Sequence, residues 1–160
     1  MNKSNTNQKD IPINILEYRD VKVIFHTLNK NGYEAFIVGG CVRDCILGRE
    51  CHDIDFCTNA TPEEIKECFK SFKIIDTGIK HGTVTVLIHD KSYEITTYRI
   101  DGKYSDSRHP DNVLFACNIE EDLKRRDFTI NAIAVNQNCA MAPKGALDDI
   151  NKRIIKCVGD

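Results

Sequence analysis

The chain changes its apolar rhythm several times. From about Ile13 to Lys30, Val21, Ile24, Phe25 and Leu28 recur at the spacing of one helix face. Asn31-Gly32 predicts the end of that helix. Glu34 to Val38 is a short apolar run and reads as a buried strand, stopped by Gly39-Gly40. A helix is predicted over Cys41 to Leu47, closed by Gly48. Asp53 to Cys57 alternates polar and apolar residues, the pattern of a strand with one polar face. Thr61-Pro62-Glu63-Glu64 starts another helix: a capping Thr, a Pro in the first turn and acids near the positive end of the dipole. It is expected to run to about Phe69.

Phe72 to Ile75 reads as a strand. Thr83 to Ile88 and Tyr93 to Tyr98 are β-rich runs joined by His89-Asp90-Lys91-Ser92, a predicted hairpin. Asp101 to Asn112 is polar, contains Gly and Pro, and reads as a flexible loop. Ile119 to Arg125 is helical in pattern, Phe128 to Val135 fits neither period, and Ile154 to Val158 reads as a last short strand. Helices mixed with at least one antiparallel hairpin predict an α+β fold rather than a doubly wound parallel sheet.

Composition narrows the picture modestly. The 160 residues suffice for one domain with a real core. A hydrophobic content of 41% and a charged content of 29% are ordinary for a globular domain. A net charge of -2 gives no long-range attraction to nucleic acid or anionic membrane, so any polyanion site must be local. No apolar run approaches a membrane span. MNKSNTNQKD lacks the apolar core of a signal peptide and reads as a frayed tail, so a cytoplasmic location is expected.

The chain carries eight cysteines and no CxxC pair. Without a secretory signal, reduced thiols are expected rather than disulfides. Cys41 and Cys45 are spaced i, i+4, and Cys51 sits beside His52, which leaves a zinc reading open. The favoured account is packing of Cys as a small apolar side chain.

Chemistry is densest in VGGCVRDCILGRECHDIDF, residues 38–56. On a strand, Asp53 and Asp55 would share a face and repel, which a hard divalent ion relieves. Gly39-Gly40 between strand and helix lets the backbone approach an anion, and Arg43 in the following turn can reach it. The motif is not a P-loop, because no Gly-Lys-Ser/Thr follows. Glu94 offers a third carboxylate, although an exposed strand glutamate needs no function. Arg125-Arg126-Asp127 ends a charged helix. Its guanidinium groups suit phosphate oxygens, and a solvated helix end is the plainer account.

Taken in order, these segments resemble the head domain of class II tRNA nucleotidyltransferases and bacterial poly(A) polymerases, within the polymerase-β-like nucleotidyltransferase superfamily. GGCVRDCILGRECHDID is similar to the family signature GGxVRDxLLGRxxxDxD. YEITTYRIDGKYSDSRHPDNVLF resembles the carboxylate strand and flexible loop, and EEDLKRRDFTINAIAVN resembles DLxRRDFTINA. The matches run from Ala35 to about Asn136.

The resemblance implies a small, mixed, mostly antiparallel sheet backed by helices. It implies that Asp53 and Asp55 hold two Mg²⁺ ions, supported by Glu94. Gly39, Gly40 and Arg43 would hold the triphosphate, with Arg125, Arg126, Asp127 and Asn131 completing the nucleotide site. Asp101 to Pro110 would match the loop linked to adding a terminal A. The implied partners are CTP, ATP and the 3′ end of a tRNA. The implied layout is a polar tail over residues 1–12, a catalytic head over 13–150 and the start of a helical neck over 151–160. The spacing EDxxR occurs only as Glu121-Asp122-Leu123-Lys124-Arg125, inside the segment that resembles DLxRRDFTINA, so base selection is expected to lie in a neck beyond these residues. CCA addition is favoured over poly(A) synthesis. A small-molecule nucleotidyltransferase, a cysteine-rich metal or redox module, and an inactive nucleotide-binding head are the rival readings.

Overall fold

A computed structural model describes residues 14–78, 81–101 and 113–159. The expected N-terminal tail and most of the 101–112 loop lie outside the described residues. A 3₁₀ turn at Asn14–Glu17 leads into α1 (Arg19–Lys30), which buries Val21, Ile24, Phe25 and Leu28 as its periodicity requires. Then follow β1 (Ala35–Val38), α2 (Gly40–Ile46), β2 (Asp55–Thr58) and α3 (Pro62–Cys68). The α3 start is a full capping box: Thr61 Oγ1 accepts from the Glu64 N–H, and Glu64 accepts from the Thr61 N–H.

β3 (Lys73–Gly78), β4 (Thr83–Ile88) and β5 (Lys91–Thr97) follow in sequence. The β4–β5 connection is tighter than expected. Only His89 and Asp90 form the turn, at φ 47° and 64°, and Lys91 and Ser92 already pair in the strand. Two consecutive left-handed residues match the strand twist of a two-residue hairpin. The turn is tied to α1: His89 Nδ1 lies 2.7 Å from Asp20 Oδ1, and the Tyr93 hydroxyl donates to Asp20 Oδ2 at 2.8 Å.

The chain continues through β6 (Arg99–Asp101), β7 (Val113–Phe115), α4 (Ile119–Lys124), β8 (Ala134–Val135), β9 (Ala140–Met141) and α5 (Ala146–Lys152). The ambiguous 128–135 segment resolves into a 3₁₀ turn at Thr129–Asn131 followed by β8. Two expectations fail. The helix α5 lies where none was predicted, and Ile154 to Val158 is no strand. That segment makes one isolated bridge, Cys157 to Phe128, while Ile154 and Ile155 stay exposed.

Seven strands form one sheet in the order β3-β4-β5-β2-β1-β8-β9, and β6-β7 form a separate ribbon. β2 and β5 pair in parallel; every other pair is antiparallel. The expected α+β, mostly antiparallel sheet backed by helices is the fold observed.

Strand alternation gives the sheet two unlike faces. One carries Ile37, Phe56, Ile95, Val84 and Val86 into the main core with α1, α2 and α3. There Phe56 meets Phe25 and Tyr93 edge-on, at centroid distances of 5.4 and 6.3 Å. The other face carries a smaller cluster, Phe36, Val38, Cys57 and Ala134, covered by Tyr98 and by Ile119 and Leu123 of α4. Beyond that cluster the second face turns polar.

Candidate active site

The register of the central strands assembles the acids. Asp55 opens β2 and stands opposite Val38 on β1 and Glu94 on β5. Asp55 and Glu94 therefore project from the same face, at the end where the small apolar cluster stops. Asp53 is not on the strand, as the alternation predicted, but in the loop that enters it. It still lines the same cleft, of about 330 Å³, with Asp55, Ser92 and Glu94. The loop, not the i, i+2 rule, brings the two aspartates together.

Electrostatics in this cleft are unfavourable for bare carboxylates. Partial loss of hydration and the negative charges of Glu94 and Asp53 push the Asp55 carboxyl up to about 6, and Arg126 offsets part of this. Three hard oxygen donors that repel one another are a donor set suited to a divalent cation such as Mg²⁺.

One residue beyond β1, Gly39 adopts φ 84°, ψ -151°, a conformation restricted to glycine by its backbone angles rather than by crowding. Gly40 begins α2, and the Arg43 guanidinium folds back over it, 3.1 Å from where a Cβ would stand. Arg43 is held from both sides: Nη1 donates to Asn131 Oδ1 at 2.7 Å, and Nε donates to Asp44 Oδ1 at 3.0 Å. Thus Asn131, far away in sequence, reaches the Gly-Gly turn through Arg43.

Arg126 joins this group from just beyond α4. Its Nη1 lies 3.7 Å from the Cβ position of Gly39. Its Nε is buried without a hydrogen-bond partner among the described residues. The two arginines after α4 do not form a solvated helix end. Arg125 and Arg126 are mostly buried, and both clasp the fully buried Asp122, at 3.3 and 3.0 Å. Asp122 also accepts the Arg99 backbone N–H at 3.1 Å. Asp122 escaped the sequence reading, although its i+3 and i+4 spacing to two arginines on a predicted helix was the available signal. Asp127 is exposed; its side chain caps the Phe128 N–H at 2.7 Å, and its carbonyl accepts from Val158. No described contact brings Asp127 to the cleft. Gly39, Gly40, Arg43, Arg126 and Asn131 converge, and Asp53, Asp55 and Glu94 line the adjoining cleft. Arg125 serves Asp122.

The cysteines depart from expectation. Cys41 and Cys51 form a disulfide, and the other six are free. Cys41 lies in the first turn of α2 and Cys51 in the loop after Gly48, whose φ of 72° reverses the chain. Their Cα atoms come to 5.3 Å, within disulfide reach.

Comparison with known proteins finds clear relatives. The profile of the Poly A polymerase head domain matches residues 35–156. The chain is 53% identical over 137 residues to a CCA-adding enzyme of Lactobacillus delbrueckii subsp. bulgaricus, covering 85% of this chain and 34% of the relative. It is 50% identical over 138 residues to one of Oceanobacillus iheyensis, covering 86% and 34%. It therefore spans about a third of the length of these curated relatives. The crystal structure of the Bacillus stearothermophilus CCA-adding enzyme in complex with CTP matches with a TM-score of 0.77 at 43% identity, over 88% of this chain and 33% of that one. A tRNA nucleotidyltransferase complexed with a primer tRNA and an incoming ATP analogue matches with a TM-score of 0.64 at 28% identity, over 85% and 39%. A glycine turn, an arginine pair and a carboxylate cleft on one sheet face thus sit within a profile match covering most of the chain, and the chain belongs to the poly(A) polymerase head domain family.

Proposed function

We propose that this chain is the catalytic head of a CCA-adding tRNA nucleotidyltransferase, transferring a nucleoside monophosphate from CTP or ATP to the tRNA 3′-hydroxyl with release of pyrophosphate. The observation that carries the reading is the β1–β2–β5 register, which sets Asp55 between Glu94 and the end of the strand leading into Gly39-Gly40. Relatives named CCA-adding enzymes and a neighbour solved with CTP favour this over a poly(A) polymerase.

In this reading Gly39 and Gly40 let the triphosphate approach the backbone. Arg43, fixed by Asn131 and Asp44, and Arg126, fixed by Asp122, neutralise its oxygens. Asp53 and Asp55 hold Mg²⁺, and Glu94 keeps the local charge negative. Two bound ions supply a lower pKa for the attacking hydroxyl and charge neutralisation at the leaving oxygens. The chain's own task is positioning and electrostatics, because phosphoryl transfer asks little covalent work of the protein. Base selection is assigned to residues outside these 160.

The test is incorporation of labelled CTP and ATP into tRNA lacking its 3′ end, by this chain and by a version extended to the relatives' length. Asp53→Ala or Asp55→Ala should abolish Mg²⁺-dependent transfer in the extended version while leaving it folded. Near-normal incorporation by either variant would refute the assignment. Calorimetry on the 160-residue chain should show Mg²⁺-nucleotide binding without a base preference; clear selection of ATP or CTP over GTP would contradict that part.

A further inference from the structure

The cysteines around α2 take no part in the proposed reaction, yet three of them cluster. The Sγ atoms of Cys41, Cys45 and Cys51 all lie within 4.8 Å of one another. Cys41 and Cys45 share one face of α2 by their i, i+4 spacing, and each is only 6% exposed. Cys51 is delivered by the loop that follows. A cleft of about 700 Å³, walled by Tyr18, Arg49 and Glu50 among others, opens onto Cys45 and Cys51.

We propose that Cys41, Cys45 and Cys51, when reduced, form a thiolate site for a soft divalent metal of the zinc class, and that the Cys41–Cys51 disulfide is the oxidised, metal-free state of the same cluster. Three thiolates at about 2.3 Å from a tetrahedral Zn²⁺ place their sulfurs roughly 3.8 Å apart. Cys45 Sγ already lies within 4.8 Å of both partners, so the rearrangement needed is mainly a parting of the Cys41 and Cys51 sulfurs on reduction. Among the described residues no fourth His, Cys, Asp or Glu joins the three. The fourth position then faces the cleft, where water or a cleft occupant completes the shell, and the cleft is the entry path. Soft thiolates select such an ion over Mg²⁺, so this site and the carboxylate cleft would take different metals.

A dithiol reductant gives two electrons and two protons to the disulfide, leaving two Cys thiols and the oxidised reductant. Binding of Zn²⁺ then displaces three thiol protons, and the zinc-trithiolate carries one negative charge. The consequence reaches the active site: Cys51 Sγ lies 3.6 Å from the Asp53 carbonyl oxygen. An ion held here would fasten the helix carrying Arg43 to the loop that positions Asp53.

The probe is Co²⁺, added anaerobically to the chain with Cys117, Cys139 and Cys157 replaced by Ser, which removes the exposed free thiols. The reduced protein should take up about one Co²⁺ per chain with a sulfur-to-cobalt charge-transfer band. Zn²⁺ should abolish the band, and excess Mg²⁺ should leave it. The oxidised protein, two mass units lighter, should show no band. Cys45→Ser keeps both disulfide partners and should weaken Co²⁺ binding by more than about tenfold, since even outer-shell groups are worth that much. No band in the reduced chain, a band that survives oxidation, or full Co²⁺ affinity in Cys45→Ser would each overturn the proposal. The oxidised-versus-reduced comparison needs no variant at the cluster and decides the matter even if Cys45→Ser does not fold.

Discussion

The two faces of β2 use adjacent residues for opposite purposes. Phe56 points into the main core and is fully buried against Phe25 and Tyr93. Asp55, one residue earlier, points to the other face, where burial first, and then the charges of Glu94 and Asp53, lift its pKa to about 6. The first face gathers apolar area and stabilises the fold. The second ends its small apolar cluster at Val38 and Cys57 and leaves like charges together. That arrangement costs stability, a cost that the proposed cation would relieve.

This contrast can be broken at several points. The largest effect is expected at Asp55. Asp55→Asn should lower Mg²⁺-dependent transfer, in a chain that has its neck, by at least about a hundredfold, as expected for removal of a group that stabilises charge in the transition state. Its melting temperature at pH 7 should hold or rise. A carboxylate whose folded pKa is raised opposes folding above that pKa, so the gain should disappear as pH falls below the ordinary carboxylate range. Thermal melts at two pH values check the sign.

Phe56→Ala should do the reverse. Loss of a buried aromatic costs about 3–5 kcal/mol, read from urea unfolding, while metal binding per folded molecule is kept. Asp122→Ala should fall between. It strands Arg125 and Arg126 around a vacated carboxylate, a change worth roughly 3 kcal/mol or more for a buried pair, and should also weaken nucleotide binding through Arg126. If nucleotide affinity is unchanged, Arg126 is not part of the cradle.

The smallest effect is expected at Asp20, where α1 meets the β4–β5 turn. Burial alone would raise this carboxyl, but hydrogen bonds from His89 and Tyr93, with the charges of His89 and Lys91, hold it below the ordinary range. Its contribution is present above the unfolded pKa and lost as pH falls through the folded one. Asp20→Asn should therefore be less stable than the parent at pH 7, and the gap should close in acid. A gap that is constant with pH would remove the ionic contribution from the account.

Much of this contrast was legible in the sequence because it rests on short-range rules. The alternation from Asp53 to Cys57 and the β-rich run of β5 put Asp55 and Glu94 on strands, although it placed Asp53 on the strand too, and Gly39-Gly40 marked the turn beside them. The β2–β5 register was not legible, since it depends on which strands pair across the fold. Asp122 stayed hidden because a buried carboxylate between arginines looks, in sequence, like any charged helix. The helix α5 buries only Ala146 and Ile150, too few positions to give a period over seven residues. Ile154 and Ile155 misled in the opposite direction: an apolar pair suggested a strand, and the structure leaves both exposed. The disulfide depended on the chain reversal at Gly48, which no cysteine count reveals.

The central claim is that the polar face of β2 holds a divalent cation. It is tested most directly by titrating Mn²⁺ into the 160-residue chain and following the free-ion electron paramagnetic resonance signal, for the parent, Asp55→Asn and Phe56→Leu. The account predicts Mn²⁺ binding that Mg²⁺ displaces, retained in Phe56→Leu and weakened by at least about tenfold in Asp55→Asn. Equal Mn²⁺ affinity in the parent and Asp55→Asn would contradict it.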